Sequence, residues 1–197
     1  MRTKKRIFGY TCRSGFTLLE LLVSAGVLSL VSVIIAQVIF TTVRLSARTE
    51  MMKEMKQNGG MAMDVVKRMI QNAKEISMVC DGAPRSVLTM TNYDGGETTI
   101  SCEKDAVYAD YDIFRIASYS STLQTTTHLS SGNVTLVTTG GEASCGVADT
   151  EGASLYFTCT DDTFITVLFR LRQRNTATGI FEGEQETFQS MMIKRNR

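Results

Sequence analysis

Histidine and proline each occur once in 197 residues, at His128 and Pro84. One histidine cannot supply a His-based metal cluster, and no G-x-S-x-G nucleophile motif accompanies it. His128, in a threonine-rich stretch, reads as a surface or half-buried strand residue. Nothing in the pattern asks for a catalytic residue, a cofactor or a metal. Acidic residues are missing altogether before Phe16, where Arg2, Lys4, Lys5, Arg6 and Arg13 stand unopposed. The whole chain has 21 basic and 20 acidic residues, so the part after this leader is net acidic. Nucleic-acid binding needs a concentrated positive surface, which a mildly acidic body lacks, and no nucleic acid is expected as a partner.

Charge is also scarce between Phe16 and Phe40, where Glu20 is the sole ionisable side chain; the next charge is Arg44. At ~1.5 Å per residue this run reaches roughly 37 Å as a helix, enough to cross a hydrocarbon core of about 30 Å. An ordinary signal peptide has a much shorter apolar region followed by a small-residue cleavage site. A lipoprotein signal would place its cysteine after the apolar run, whereas Cys12 precedes it. Basic residues in front orient the start of the chain to the cytoplasm and the body outside. The rest of the composition, 43% hydrophobic and 21% charged, suits a body that buries a core.

A carboxylate inside such a run is costly, on the order of 3 kcal/mol at a helix centre and less near an end. Cleavage between Gly15 and Phe16 would give it a purpose. Glu20 would then lie about one helical turn from a new amine, which is largely cationic at neutral pH. Between neighbouring copies of the helix, the Glu20 of one could neutralise the Phe16 amine of the next and set their axial stagger. A plain signal anchor, the bland alternative, leaves Glu20 without a use.

The basic leader ending at Gly15, then Phe16-Thr17-Leu18-Leu19-Glu20-Leu21-Leu22 and the long apolar run resemble the type IV pilin and pseudopilin family. The resemblance covers about residues 9–45. It implies that a membrane prepilin peptidase/methylase cleaves after Gly15 and methylates the Phe16 nitrogen. It further implies that Glu20 and Phe16 form an assembly salt bridge with other pilins or pseudopilins in a helical fibre. Residues 1–15 are then a leader, 16–43 a transmembrane and assembly helix, and 44–197 an exported globular domain. Before assembly the partner is inner-membrane lipid; afterwards the subunit stands in the periplasm or at the cell surface. The ending "ETFQSMMIKRNR" is similar, more weakly, to the last strand of minor pilins. The functional expectation is a minor pilin or minor pseudopilin acting in fibre assembly or initiation. The alternative is a membrane-tethered adhesin or DNA-uptake module that uses the same export route.

After Arg44 the apolar residues become periodic: Met52, Met55, Gly59, Ala62, Val66, Met69, Ala73 and Ile76 fall at spacings of three and four. This predicts an amphipathic continuation of the helix, its methionine-rich stripe serving as core packing, with a weak point at Gly59-Gly60. Asp81-Gly82-Ala83-Pro84 is expected to end it. Strand signals follow. "SVLTMTNY" and "ETTISCE" flank a hairpin turn at Asp94-Gly95-Gly96, and "YDIFRIAS", "TLQTTTHL", "NVTLVTT", "SLYFTC", "TFITVLFRLRQR" and "TFQSMMIK" continue. The fold class is α+β: a long N-terminal helix, transmembrane in its first half and amphipathic in its second, packed on antiparallel sheet.

Once Cys12 leaves with the leader, Cys80, Cys102, Cys145 and Cys159 form an even set in an oxidising compartment, which predicts two disulfides. Pairing across local loops favours Cys80–Cys102 and Cys145–Cys159, among three possible connectivities. Asp110 with Asp112, and Asp161 with Asp162, offer oxygen ligands that some pseudopilins use for calcium. Neither pair has the spacing of a calcium loop, and solvated turns are the preferred reading. Arg170, Arg172 and Arg174 alternate on one strand face, where they would meet phosphate or a partner's acids, or simply stand in solvent.

Overall fold

The computed structural model describes residues 15–108, 112–160, 164–174 and 184–193. One helix, α1, spans Leu18–Asn72. Among the described residues nine strands follow: β1 Glu75–Ser77, β2 Leu88–Thr91, β3 Glu97–Lys104, β4 Phe114–Ser120, β5 Thr125–His128, β6 Val134–Leu136, β7 Leu155–Thr160, β8 Phe164–Gln173 and β9 Gln185–Ile193. Two compact units result, residues 1–47 and 48–197.

In the larger unit the strands form two antiparallel sheets. The first runs in sequence order, β1-β2-β3-β4-β5. In the second, β9 pairs along β8, while β7 and then β6 pair with successive parts of β8. The expected hairpin is β2–β3. Its turn is closed by Asn92 N–H to Gly96 O at 2.8 Å, with Gly95 at φ 83°, where glycine carries no steric penalty. Phe114 N–H donates to the buried Thr135 hydroxyl at 2.9 Å, tying the first sheet to the second. One core joins everything: Met55, Ala62, Val66 and Ile70 of α1 meet Leu88, Met90 and Ile100 of one sheet and Phe157, Val167 and Phe169 of the other. On β8 the alternation is as expected, with Ile165, Val167, Phe169 and Leu171 buried, and Leu168 buried out of phase.

Three expectations change. First, α1 stops at Asn72, before Asp81-Gly82-Ala83-Pro84. Ala73 N–H closes a tight last turn on Ile70 O, and Lys74 N–H turns instead to Thr91 O at 2.9 Å. Ile76 is buried as the stripe requires, but as a strand residue opposite Met90. Pairing along β2 outweighs a helical pattern that sequence alone would extend.

Second, Gly59 is a packing notch. A Cβ there would overlap the ring of Phe188 on β9, and that ring stacks on Phe169 with centroids 5.2 Å apart. Gly60 faces open space. Gly59→Ala is therefore expected to destabilise the domain by about 1–3 kcal/mol through overpacking. Gly60→Ala should stabilise it by up to about 1 kcal/mol through helix propensity. Urea denaturation of both variants checks this; equal effects would show that Phe188 does not depend on the notch.

Third, the disulfides are Cys80–Cys159 and Cys102–Cys145, with Cα atoms 4.5 and 5.6 Å apart. The local pairing is wrong because Cys102 and Cys159 belong to strands of different sheets, which sequence distance does not measure. Cys80 follows β1, and its neighbours bind β7: Gly82 N–H donates to Cys159 O at 3.0 Å, and Arg85 and Phe157 exchange two bonds of 2.8 Å. Each bridge thus links the first sheet's part of the chain to the second sheet or its loops.

Candidate functional site

Helix α1 begins with its own cap. Residues 15–17 are non-helical, and Glu20 N–H lies 3.3 Å from the Thr17 hydroxyl and 3.1 Å from the Thr17 carbonyl. Thr17 is the N-cap residue and Glu20 sits at the third helical position, the Thr-x-x-Glu order of a capping box. A carboxylate in the first turn also complements the positive end of the helix dipole. Among the described residues, the Glu20 side chain has no ion-pair partner. Phe16, at 78% exposure, and Gly15, with nothing within 4 Å of where a Cβ would lie, leave the peptide bond between them open.

Beyond the cap the helix is apolar on every side. An 18-residue window reaches a mean hydropathy of 2.5 with none of it buried in the chain itself. Its hydroxyls do not need water. Ser24, Ser29, Ser32, Thr41 and Thr42 donate to the carbonyls of Leu21, Gly26, Leu28, Gln37 and Val38 at 2.7–3.0 Å. Back-bonding of this kind satisfies polar side chains where a bilayer offers no partner. The Arg44 guanidinium lies 4.1 Å from the Phe40 ring centroid, where the apolar run ends.

The prokaryotic N-terminal methylation motif matches residues 10–36. The chain carries the prepilin signature of type IV pilins and pseudopilins. That signature implies processing by a prepilin peptidase and assembly with other pilins, and with the apolar helix it fits a membrane-anchored, single-pass protein. No characterised protein and no solved structure matches this pilin-like chain. The motif supports a type IV pilin- or pseudopilin-like exported protein, and the long helix packed on antiparallel sheets is a pilin-like arrangement.

The other candidates fall outside this site. Asp112 is held by Lys104 Nζ at 2.9 Å, while Asp110, Asp161 and Asp162 lie outside the described residues. Among the described residues no three His, Cys, Asp or Glu side chains gather as metal ligands. The arginine face of β8 is not simply solvated. Arg170 donates to Ala153 O at 3.0 Å and Arg172 to Gly141 O at 2.7 Å, so both fasten the segment between β6 and β7. That segment is also pinned by Asp149, whose carboxylate accepts Ser86 N–H and O–H at 2.8 and 2.9 Å. Those two bonds, with Arg85 nearby, hold its pKa below the ordinary value.

A buried ion pair that no local pattern marks joins β4 to the end of β3. Asp105 is fully buried just past β3, and Arg115 of β4 donates to it at 2.6 Å. Arg115 Nε reaches on to Ser130 O at 2.8 Å, and Val107 N–H donates to Asp105 at 2.9 Å. Burial pushes the Asp105 carboxyl up, but the Arg115 and Val107 hydrogen bonds and the Arg115 and His128 charges together hold it below its ordinary value. His128 is half-buried near this pair, with Nδ1 enclosed. No spacing marks an isolated Asp and Arg ten residues apart as partners; only the β3–β4 pairing brings them together.

Proposed function

We propose that the protein is a minor pilin or minor pseudopilin that enters a helical fibre and helps to assemble or initiate it. The observation that carries this reading is the capped, unburied apolar helix with Glu20 one turn from an accessible Gly15–Phe16 bond. A peptidase needs a backbone free of the helix, and residues 15–17 are non-helical, with a glycine that does not obstruct the bond. Cleavage there, followed by methylation, sets a cationic Phe16 nitrogen against the positive end of α1, which is unfavourable. A carboxylate from a neighbouring subunit relieves it. In the bundled core of a fibre the Glu20 carboxylate is likewise deprived of water, so each helix end has what the next one needs. Residues 1–15 are the leader, 16–43 the membrane and assembly helix and 44–197 the exported domain. The leader faces the cytoplasm, and two disulfides are suited to an oxidising side of the inner membrane. The role is structural, without catalysis.

Glu20→Ala tests this. The variant is expected to insert and be processed, with an N-terminal mass beginning at Phe16, yet to be lost from sheared fibres and to fail in complementing a deletion strain. An unpaired charge enclosed in the fibre is worth several kcal/mol, so the loss should be severe. Normal incorporation of the variant would refute the assembly role of Glu20. A mature chain that retains Met1 would refute the cleavage.

A further inference from the structure

On the helix-facing side of the first sheet, the chemistry changes from one edge to the other. Registered pairs across the sheet run Met90, Thr98, Ser120, Thr125 in one row and Leu88, Ile100, Ser118, Thr127 in the next. The helix covers the apolar part. The hydroxyl part over β4 and β5 stays open as a groove of about 570 Å³ walled by the last turns of α1, well within the size range of small-ligand sites.

Asn92 donates to Thr98 at 2.9 Å and Ser120 accepts Leu123 N–H at 3.4 Å, but other polar groups of the lining are available for a ligand. The side-chain hydroxyls of Thr125 and Thr127 have no hydrogen-bond partner among the described residues, and that of Ser118 has only the thioether of Met69, at 3.9 Å. Asn72 adds an amide, and Arg68 a guanidinium without a carboxylate partner among the described residues. No acidic residue lines the groove, and Met69, Met90 and Leu123 give it an apolar side.

We propose that this groove binds a carboxylate-bearing saccharide. Hydroxyl and amide side chains both donate and accept, as sugar hydroxyls do, whereas a peptide strand would be recognised by main-chain groups along a sheet edge. The methionine and leucine surface suits the C–H faces of a pyranose ring. The lone guanidinium selects one carboxylate through a charge-assisted, two-pronged contact. With a single cation and no aromatic platform, the groove is poorly suited to a nucleic acid. Nothing in this recognition depends on Glu20 or on the fibre.

The test is titration of the full-length, detergent-solubilised protein with digalacturonate, its neutral counterpart digalactose, and an acidic tripeptide. Digalacturonate should bind saturably and about tenfold more tightly than digalactose, the value of one charge-assisted hydrogen bond. Arg68→Gln should reduce digalacturonate to the level of the neutral sugar, and Thr125→Val with Thr127→Val should weaken both sugars. Thermal unfolding like that of the wild type establishes that each variant is folded. Glu20→Ala should bind as the wild type does, which separates this site from assembly. Absence of saturable binding of either sugar, insensitivity to Arg68→Gln, or equal affinity for the tripeptide would overturn the proposal.

Discussion

Replacing Cys80 and Cys159 together by serine is expected to destabilise the globular domain by about 4 kcal/mol. The bridge spans 79 residues of sequence, and chain entropy gives a loop of that length roughly 4.5 kcal/mol before native-state effects. The Cys102–Cys145 bridge, spanning 43 residues, has an expected contribution of about 4 kcal/mol. A domain with total stability in the ordinary range of ~5–15 kcal/mol survives the loss of one bridge with little margin. The first bridge also fixes the Gly82 and Arg85 hydrogen bonds to β7, so its removal should fray the stretch between β1 and β2. Urea unfolding of the two double-serine variants measures the cost. Non-reducing peptide mapping of protein from its native envelope should return Cys80 with Cys159 and Cys102 with Cys145. Recovery of Cys80 with Cys102, or of free thiols throughout, would contradict the arrangement of the two sheets.

The second large effect belongs to Arg115. Arg115→Ala leaves the Asp105 carboxylate buried with only the Val107 N–H, and a charge stranded in this way costs about 3 kcal/mol. Removing both charges, as Asp105→Asn with Arg115→Met, should recover much of that loss because no ion is then left unpaired. The pH dependence follows from the direction of the shift. A carboxyl whose pKa is lower in the folded than in the unfolded chain adds stability above the ordinary carboxylate range, and this is lost as pH falls through the folded value. Stability of the wild type should therefore drop on acidification more steeply than that of Asp105→Asn. A cost below ~1 kcal/mol for Arg115→Ala, with no difference in acid slope, would mean that solvent reaches the pair.

The parts of this protein that were legible in its sequence are those governed by local rules. The apolar run, the Asp94-Gly95-Gly96 turn and the alternation along β8 each depend on residues close in sequence. The capping relation of Thr17 to Glu20 is equally local, set by a spacing of three residues. What could not be read depends on pairings across the fold. Asn72 ends the helix because Lys74 finds Thr91, and Gly59 matters because Phe188 arrives from more than a hundred residues downstream. The half-cystine partners and the Asp105–Arg115 pair are likewise set by which strands become neighbours.

The position of β9 bears on the order in which the molecule can be completed. This strand lines β8 from Phe164 to Arg172 and seats Phe188 in the Gly59 notch, while Lys56 reaches its Glu186 at 3.6 Å. A chain emerging from the ribosome N-terminus first presents the helix long before the strand that closes over it. Until residues 185–193 are delivered, Phe169 lacks its stacking partner and the helix stripe around Gly59 stays wet. A chain terminated before β9 would thus leave Phe169 and the helix surface around Gly59 uncovered.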